Sequence, residues 1–170
     1  MSILKVDTLQ LANGNAPTLT DLGFSQANTI VSAYHAVSSS SAQTLNTTSF
    51  SNITDLSITM TPKLTNSKIL IMPTIAAEVF GTHTDKGIRF KIYGGASGTT
   101  ELYNSEYELY ASSDASQRIT KVTLAYVDSA SSAARTYKVG FAATRTDAQA
   151  SARVNNYGEP SVMTVLEIGQ

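Results

Sequence analysis

The sequence predicts an all-β fold, an antiparallel sandwich or barrel. Runs of alternating apolar and polar residues recur about every ten to fifteen residues, with Gly, Ser and Asp between them. Hydroxyl side chains supply most of the polarity: the 170 residues include 21 Ser and 22 Thr, whereas only 15% are charged. Thr and the β-branched apolar residues fit a pleated surface. No segment shows a convincing helical period, which favours strands throughout.

The composition argues against several classes of partner and site. The net charge is −1 and no strong basic patch is present, so neither nucleic acid nor lipid headgroups are expected partners. No apolar run approaches the roughly 18 residues of a membrane span, and the start lacks the apolar core of a signal peptide. We therefore expect synthesis in a cytoplasm and no membrane insertion. The absence of cysteine excludes disulfides, thiolate metal sites and cysteine nucleophiles.

Residues 1–29 are predicted to form an N-terminal attachment arm, followed by a β-sandwich head over residues 30–170. The arm carries a short, imperfect alternation of apolar residues, ending at turn signals such as Asn13-Gly14. These apolar residues are Leu4, Val6, Leu9 and Leu11. A segment this short cannot bury its own apolar side chains. It is expected to dock on its own head, on a sister subunit or on a larger assembly.

The first half of the head is predicted to begin with a strand at Ile30–Val37. Residues 49–72 are then typical of a β-hairpin, since apolar and polar residues alternate up to Met60. Pro62 ends the first strand of this hairpin because proline cannot donate to a strand ladder. The turn runs through residues 64–67. The return strand, residues 68–80, is apolar on both faces and is therefore expected to be central in its sheet.

The second half of the head is predicted to contain several further strands. Alternation is centred on Ile88–Ile92, Val122–Tyr126 and Tyr137–Phe141, with a loop at 94–98, one or two strands within Glu101–Tyr110, and a weak strand at 151–155. In the last strand Val162, Thr164, Leu166 and Ile168 lie on one face, with Met163 and Val165 on the other. A strand that is apolar on both faces is not expected at a bare sheet edge. It is either central or covered by a neighbour, which suggests an oligomer.

No catalytic or metal-binding constellation is evident. His35 and His83 lack second ligands at zinc spacing and are interpreted as surface or hydrogen-bonding histidines. No Gly-x-Ser-x-Gly elbow supports a serine triad, and residues 94–98 lack the Lys-Ser/Thr of a phosphate loop. The acidic residues between Glu101 and Asp114 do not match a calcium loop and are interpreted as a solvated stretch. We expect no enzyme activity, metal or cofactor.

The eight tyrosines, in a chain without tryptophan, have two open interpretations. Four of them, Tyr103, Tyr107, Tyr110 and Tyr126, fall in one third of the sequence. Tyrosine gives rigid contact area at low entropic cost and is enriched at interfaces, which favours a recognition or subunit surface. Ordinary packing within the sandwich explains the same residues equally well.

Several stretches carry a resemblance to a known family. The string "NTTSFSNITDLSITMTPKLTNSKILIM" contains Thr61-Pro62 and then Ser67, Lys68, Ile69 and Leu70, with Asn66 before Ser67 rather than after it. This string resembles phage fibre and virion-appendage proteins, especially those of marine and cyanobacterial phages. The opening "ILKVDTLQLANGNAPTLTDLGF", the strand "RTYKV" and the ending "ARVNNYGEPSVMTVLEIG" are similar to parts of the same proteins.

The resemblance implies a jelly-roll sandwich like the globular heads of tumour necrosis factor and complement proteins, assembled as a homotrimer in a virion. It implies attachment to other virion proteins through the arm, after synthesis in the host cytoplasm. The chain contains no shaft, so a short fibre tip or a capsid knob or decoration is expected. The candidate trimer or recognition surface comprises the four tyrosines together with Val162, Leu166 and Ile168.

Two other functions remain as alternatives. Solvent-facing tyrosines and loop carboxylates would suit a carbohydrate-binding adhesin module, with host-surface glycan as a partner. This alternative overlaps with the virion role, because an appendage can contact the host. A polysaccharide-cleaving enzyme is the least favoured, since it needs carboxylate pairs roughly 5–9.5 Å apart across a cleft.

Overall fold

Strands dominate residues 28–112, 117–129 and 133–170, the part of the chain that this computed structural model describes. The strands are β1 (Ile30–Val37), β2 (Gln43–Leu45), β3 (Ser51–Met60), β4 (Lys68–Phe80), β5 (Lys86–Gly94), β6 (Thr100–Asn104), β7 (Leu109–Ala111), β8 (Gln117–Thr123), β9 (Tyr126–Ser129), β10 (Arg135–Ala143), β11 (Ser151–Val154) and β12 (Val162–Ile168). One short 3₁₀ helix, Asn156–Gly158, separates β11 from β12. Within these ranges, no helix is both long and apolar enough to cross a membrane.

The strands form two antiparallel sheets. Sheet A has seven strands in the order β1-β12-β4-β11-β2, with β8 and β9 also paired to β4. Sheet B has five strands in the order β3-β10-β5-β6, with β7 also paired to β5. The two sheets pack into a jelly-roll-like sandwich, so the predicted all-β fold class is confirmed.

The core lies between the two sheets and is built by period-2 alternation. Ile71 and Ile75 of β4 face Phe90 of β5 and Phe141 of β10 within one cluster of buried residues, and all four are fully buried. Removing a side chain of this size from water contributes roughly 1.5–3 kcal/mol. Along β3 the same alternation leaves Ser57 and Thr59 exposed next to the buried Ile58 and Met60, so hydroxyl side chains cover the outer face of that strand.

Tyr137 is the largest fully buried side chain of the core, and its hydroxyl is satisfied. It donates to Asp128 Oδ2 at 3.1 Å, and Asp128 also pairs with Arg135 Nη2 at 2.7 Å. Burial, reinforced by the charge of Asp128, raises the pKa of Tyr137 far above its ordinary value. The hydroxyl therefore stays protonated and serves as a structural donor across the sandwich.

The two strands predicted to be covered on both sides are indeed central. β4 pairs with β12 and β9 over its first part and with β11 and β8 over its second part. β12 lies between β1 and β4, with Ile168 opposite both Ile30 and Lys68. Apolar residues on both faces thus correctly indicated central strands.

The predicted hairpin over residues 49–72 is wrong. β3 pairs with β10 in sheet B, whereas β4 belongs to sheet A. The segment 61–67 therefore crosses from one sheet to the other instead of turning back along β3. Alternation shows which face of a strand is buried but not which strand lies beside it. The nearby prolines and polar residues fit a crossing loop as well as they fit a hairpin turn.

The remaining predicted elements lie close to their expected positions. β1 has the predicted bounds Ile30–Val37, and a true hairpin joins β5 to β6 through the glycine loop. The stretch Glu101–Tyr110 divides into β6 and β7, both paired to β5. The alternation at Val122–Tyr126 is shared by β8 and β9, which both pair with β4.

Candidate interaction surfaces

The outward face of sheet A carries an apolar row that crosses four strands. Strand pairing aligns Ala33 of β1, Leu166 of β12, Leu70 of β4 and Val127 of β9 in one row. Val127 is 55% exposed, Ala33 is exposed, and Leu166 and Leu70 are half-buried. This row and its neighbours are called the sheet A strip below. The described residues leave its apolar side chains partly open to solvent.

Further apolar pairs lie on the same outward face. Ile30 pairs with Ile168 beside the central row, whereas Val37 pairs with Val162 two rows away on the other side, beyond the polar pair His35 and Thr164. Ile30 is 63% exposed and Val37 is 48% exposed. The three predicted residues of the last strand, Val162, Leu166 and Ile168, therefore lie on one outward face. Exposed apolar area on one sheet face is typical of a protein–protein contact.

A buried carboxylate fixes the end of the sandwich beneath the sheet A strip. Glu167 is fully buried and accepts hydrogen bonds from the backbone N–H of Lys63 and Leu64 and from the hydroxyls of Ser32 and Ser67, at 2.8–3.1 Å. Burial alone would raise the pKa of Glu167, but these four donors outweigh it and lower the pKa. Glu167 thereby connects β1, the crossing loop and β12.

Two of the four predicted tyrosines form an exposed pair. The rings of Tyr107 and Tyr110 lie edge to face, with centroids 5.6 Å apart at 89°. Tyr107 is 63% exposed and borders an open cleft of about 340 Å³ together with Tyr110 and Asp85. The Tyr110 hydroxyl donates to Asp85, which also pairs with Arg145 Nη1 at 3.0 Å. Aromatic area and charge thus meet at one end of sheet B.

The structure does not bring the other two tyrosines to that pair. Tyr103 is half-buried against the core, and its hydroxyl donates to Glu108 Oε1 at 3.1 Å. Tyr126 lies on β9 in sheet A and also packs against the core. Sequence position alone could not separate these roles, because ordinary packing and recognition use the same residue type.

The histidines and acidic residues adopt local structural contacts. His83 Nδ1 accepts the Asp85 backbone N–H at 2.9 Å, while its Nε2 lies 3.6 Å from Asp147 Oδ2. Glu101 pairs with Lys91 at 2.6 Å. Among the described residues, no group of three or more His, Cys, Asp or Glu is placed to hold a metal ion.

The predicted arm residues Leu4, Val6, Leu9 and Leu11 lie outside the described residues. The described chain begins beside its own C-terminal end: the Asn28 N–H donates to Gly169 O at 2.8 Å, and the Gly169 N–H donates to Thr29 O at 2.9 Å. The chain therefore enters the head at the edge of sheet A, next to the end of β12.

Sequence reasoning missed a polar cluster on the second half of β4. Glu78 is only 1% exposed, although it lies on the outward face of sheet A opposite Ile119 of β8. Around it lie Arg153, Asn156 and Gln117. A single glutamate inside the apolar run "TIAAEVF" was the available signal, because a carboxylate at such a position needs buried partners.

Comparison with known proteins shows likeness only to solved structures. No protein-family model matches the chain, and no curated protein matches its sequence. The infectious bursal disease virus VP2 subviral particle aligns at 13% identity and a TM-score of 0.43, over 81% of this chain and 38% of that chain. The T13 IBDV viral particle aligns at 8% identity and a TM-score of 0.44, over 81% of this chain and 36% of that chain.

A third solved structure is of another kind. Dimeric latent PorU from Porphyromonas gingivalis aligns at 6% identity and a TM-score of 0.38, over 84% of this chain and 13% of that chain. The chain therefore spans at most 38% of the length of these three proteins. TM-scores of this size carry no argument about family or function.

Proposed function

We propose that this chain is a structural protein of a bacteriophage virion: a homotrimeric surface appendage attached through its N-terminal arm. The proposal rests on the sheet A strip. Apolar side chains remain exposed there, although the head already has a buried core between its two sheets. The sequence resemblance to phage fibre and virion-appendage proteins supports a phage virion as the location of the protein. A short fibre tip and a capsid knob or decoration both fit an appendage of this size.

The sheet A strip has the chemistry of a subunit contact. Its central row contains only aliphatic side chains, and the core of a homo-oligomer interface is more apolar and poorer in charge than the remaining surface. Lys68 lies at the margin, where its Nζ donates to Ser129 Oγ at 3.0 Å. In a closed cyclic trimer three copies of such a face converge around one axis, so each copy covers the next.

Attachment through the arm is supported by the position at which the described chain begins. Asn28 and Thr29 hydrogen-bond with Gly169 at the edge of sheet A, beside the end of β12. The arm therefore joins the head at a sheet edge, which suits attachment to other virion proteins.

The test of the trimer is the mass of the purified protein in solution, measured by light scattering. A mass of three chains supports the proposal, and a monomer at all accessible concentrations overturns it. Leu166→Asp should shift the trimer towards monomer because it places a carboxylate in the central row. Ser57→Asp is the matched control, since Ser57 is exposed on β3 in the other sheet. Dissociation by both variants, or by neither, would contradict an interface at the sheet A strip.

Contact with host-surface glycan is a second candidate role, which makes the head an adhesin. Tyr107 and Tyr110 favour it, because their exposed rings lie beside Asp85 and Arg145 in an open cleft. Aromatic faces with adjacent polar groups are suited to ligands that are apolar on one face and polar at the edge. A glycan array scored against a known lectin tests this role, and the absence of any hit would remove it.

A further inference from the structure

A strained turn presents one tyrosine to solvent at the second half of sheet A. Asn155 and Tyr157 both adopt left-handed backbone conformations, with φ of 58° and 56°. Such values are unfavourable for a bulky residue and cost of order 1–3 kcal/mol. Tyr157 is nevertheless 72% exposed, so burial of its ring does not offset this cost. Strain without compensating burial is typical of functional positions.

The surrounding structure holds this turn firmly. Asn155 is fully buried, and its Oδ1 accepts hydrogen bonds from Ser161 N at 3.1 Å and Ser161 Oγ at 2.7 Å. Its backbone N–H donates to Ala76 O at 3.0 Å, and Glu159 N–H closes the turn onto Asn156 O at 3.1 Å. The conformation of Tyr157 is thus imposed by contacts on both sides of it.

A buried carboxylate orients the polar side chains around the tyrosine. Glu78 accepts hydrogen bonds from Gln117, Asn156 and Arg153. The same Gln117 amide donates to the Tyr157 hydroxyl at 2.9 Å. The guanidinium group of Arg153 stacks on Phe80, with its Cζ 4.0 Å from the ring centroid, and this contact holds the arginine in place. This network sets the orientation of the Tyr157 ring before any ligand arrives, which reduces the entropic cost of binding.

A cleft of about 300 Å³ lies against the tyrosine. Its apolar wall includes Ala76 and Ile119, and its polar rim includes Asn156, Lys121 and Glu159. Ligand sites span roughly 300–1,000 Å³, so this cleft suits a ligand with about one ring. Ile119 is 55% exposed, which leaves apolar area next to the ring of Tyr157.

The chemistry of the cleft selects among ligand classes. Lys121 Nζ lies 3.4 Å from Glu159 Oε2. The two charges of this ion pair cancel, so the rim of the cleft does not favour a simple anion. The described residues of the cleft include no metal-binding group. An exposed aromatic ring, an aliphatic neighbour, and amide, hydroxyl and charged groups at the edge match a ring with an apolar face and hydroxyl edges. A pyranose is such a ring.

We propose that the cleft between Tyr157 and β8 is a saccharide-binding site that stacks one pyranose unit on the ring of Tyr157. Asn156, Lys121 and Glu159 hydrogen-bond its hydroxyl groups. The inference deepens the second candidate role, glycan contact, and is independent of whether the chain forms a trimer. It places the saccharide on sheet A, at a site distinct from the pair Tyr107 and Tyr110.

The test is a titration of the isotopically labelled full chain with oligosaccharides of hexoses, N-acetylhexosamines and hexuronic acids, followed by amide chemical shifts. We expect concentration-dependent shifts at Ile119, Lys121, Asn156 and Tyr157 with at least one member of the panel. Tyr157→Ala should weaken that binding at least tenfold. The control is Ser57→Ala on the exposed face of β3, which lies outside both clefts and should leave binding unchanged. The inference is overturned if no oligosaccharide shifts these amides, or if binding survives the loss of the Tyr157 ring.

A second variant separates binding from folding. Tyr157→Gly removes the ring but relieves the left-handed strain, so we expect an unchanged or higher Tm together with loss of the saccharide shifts. A lower Tm with retained binding would assign Tyr157 a structural role and overturn the inference. The solution mass of each variant is measured in parallel, so that failure of saccharide binding and failure of trimer formation are distinguished.

Discussion

Glu167 and Ser67 lie 100 residues apart in the sequence, yet the Ser67 hydroxyl donates to Glu167 Oε1 at 2.9 Å in a fully buried contact. The serine ends the loop that crosses between the sheets, and the glutamate is near the end of the last strand. Their contact gives a physical reason for a serine and a glutamate at these positions, because the crossing loop needs a buried acceptor for its backbone N–H groups.

Glu167→Gln should destabilise the head by about 2 kcal/mol at neutral pH. The glutamine side chain has only one oxygen to accept the hydrogen bonds that the carboxylate accepts, and its NH₂ group would face N–H groups of the crossing loop. The pKa of Glu167 is lowered from 4.5, so its stabilising contribution is complete above pH 4.5 and is lost as pH falls through the folded-state pKa. The difference between wild type and variant should therefore shrink in acid. Urea unfolding across this pH range measures it, with exposed Glu106→Gln as control; a difference independent of pH would contradict this assignment.

Gly81→Ala should be among the most disruptive single substitutions in the head. Gly81 has φ of +119°, and an added Cβ would lie 2.1 Å from the backbone oxygen of Gln149. We expect a loss of more than about 2 kcal/mol, because the added carbon clashes with the backbone of Gln149, which cannot rotate away as a side chain could. Gly158→Ala is the matched control: φ is +74°, but no atom lies within 4 Å of the added carbon. Its cost should be about 1 kcal/mol, and equal losses for both variants would refute the steric argument.

The tyrosine pair can be followed through ionisation of Tyr110. Its hydrogen bond to Asp85, aided by partial desolvation and the charge of Asp85, raises the pKa of Tyr110 above 10.0. Asp85→Asn should bring the pKa back towards 10.0, since the amide carries no charge. Carbon chemical shifts of the Tyr110 ring over an alkaline titration measure this change. Glu106→Gln serves as control, and an identical pKa in wild type and Asp85→Asn would argue against the contact.

Deletion of residues 1–24 should leave a folded head that no longer enters virions. The reason is that strands of the head build the buried cluster between the two sheets, from Ile53 to Val165. Circular dichroism and thermal melting of the truncated protein test folding, and quantification of the protein in purified particles tests incorporation. Truncated chains recovered in particles at the normal copy number would refute attachment through the arm.

The sequence predicted which residues face inward better than it predicted which strands are neighbours. Ile30–Val37 and the central position of β4 followed directly from apolar periodicity, because burial depends on the residue itself. The hairpin over residues 49–72 failed since pairing depends on the rest of the fold, and β3 finds its partner β10 far along the chain.

The candidate sites were predictable to different extents. The outward set Val162, Leu166 and Ile168 followed from period-2 spacing along one strand. Tyr157 could not be singled out, because its importance rests on backbone strain and on hydrogen bonds to Gln117 and Glu78 from distant strands. Composition does not record such an arrangement.

The insertion of β12 between β1 and β4 has a consequence for biosynthesis. β1 pairs only with β12 among the described strands, and Glu167 of that strand is the acceptor for the crossing loop. A nascent chain that has not yet exposed residues 162–168 therefore holds β1 without a partner and β4 with one side unpaired over Lys68–Thr74. Long-range pairing of this kind slows folding and leaves strand edges open to aggregation. Sheet A can therefore be completed only after β12 has been translated and has left the ribosome.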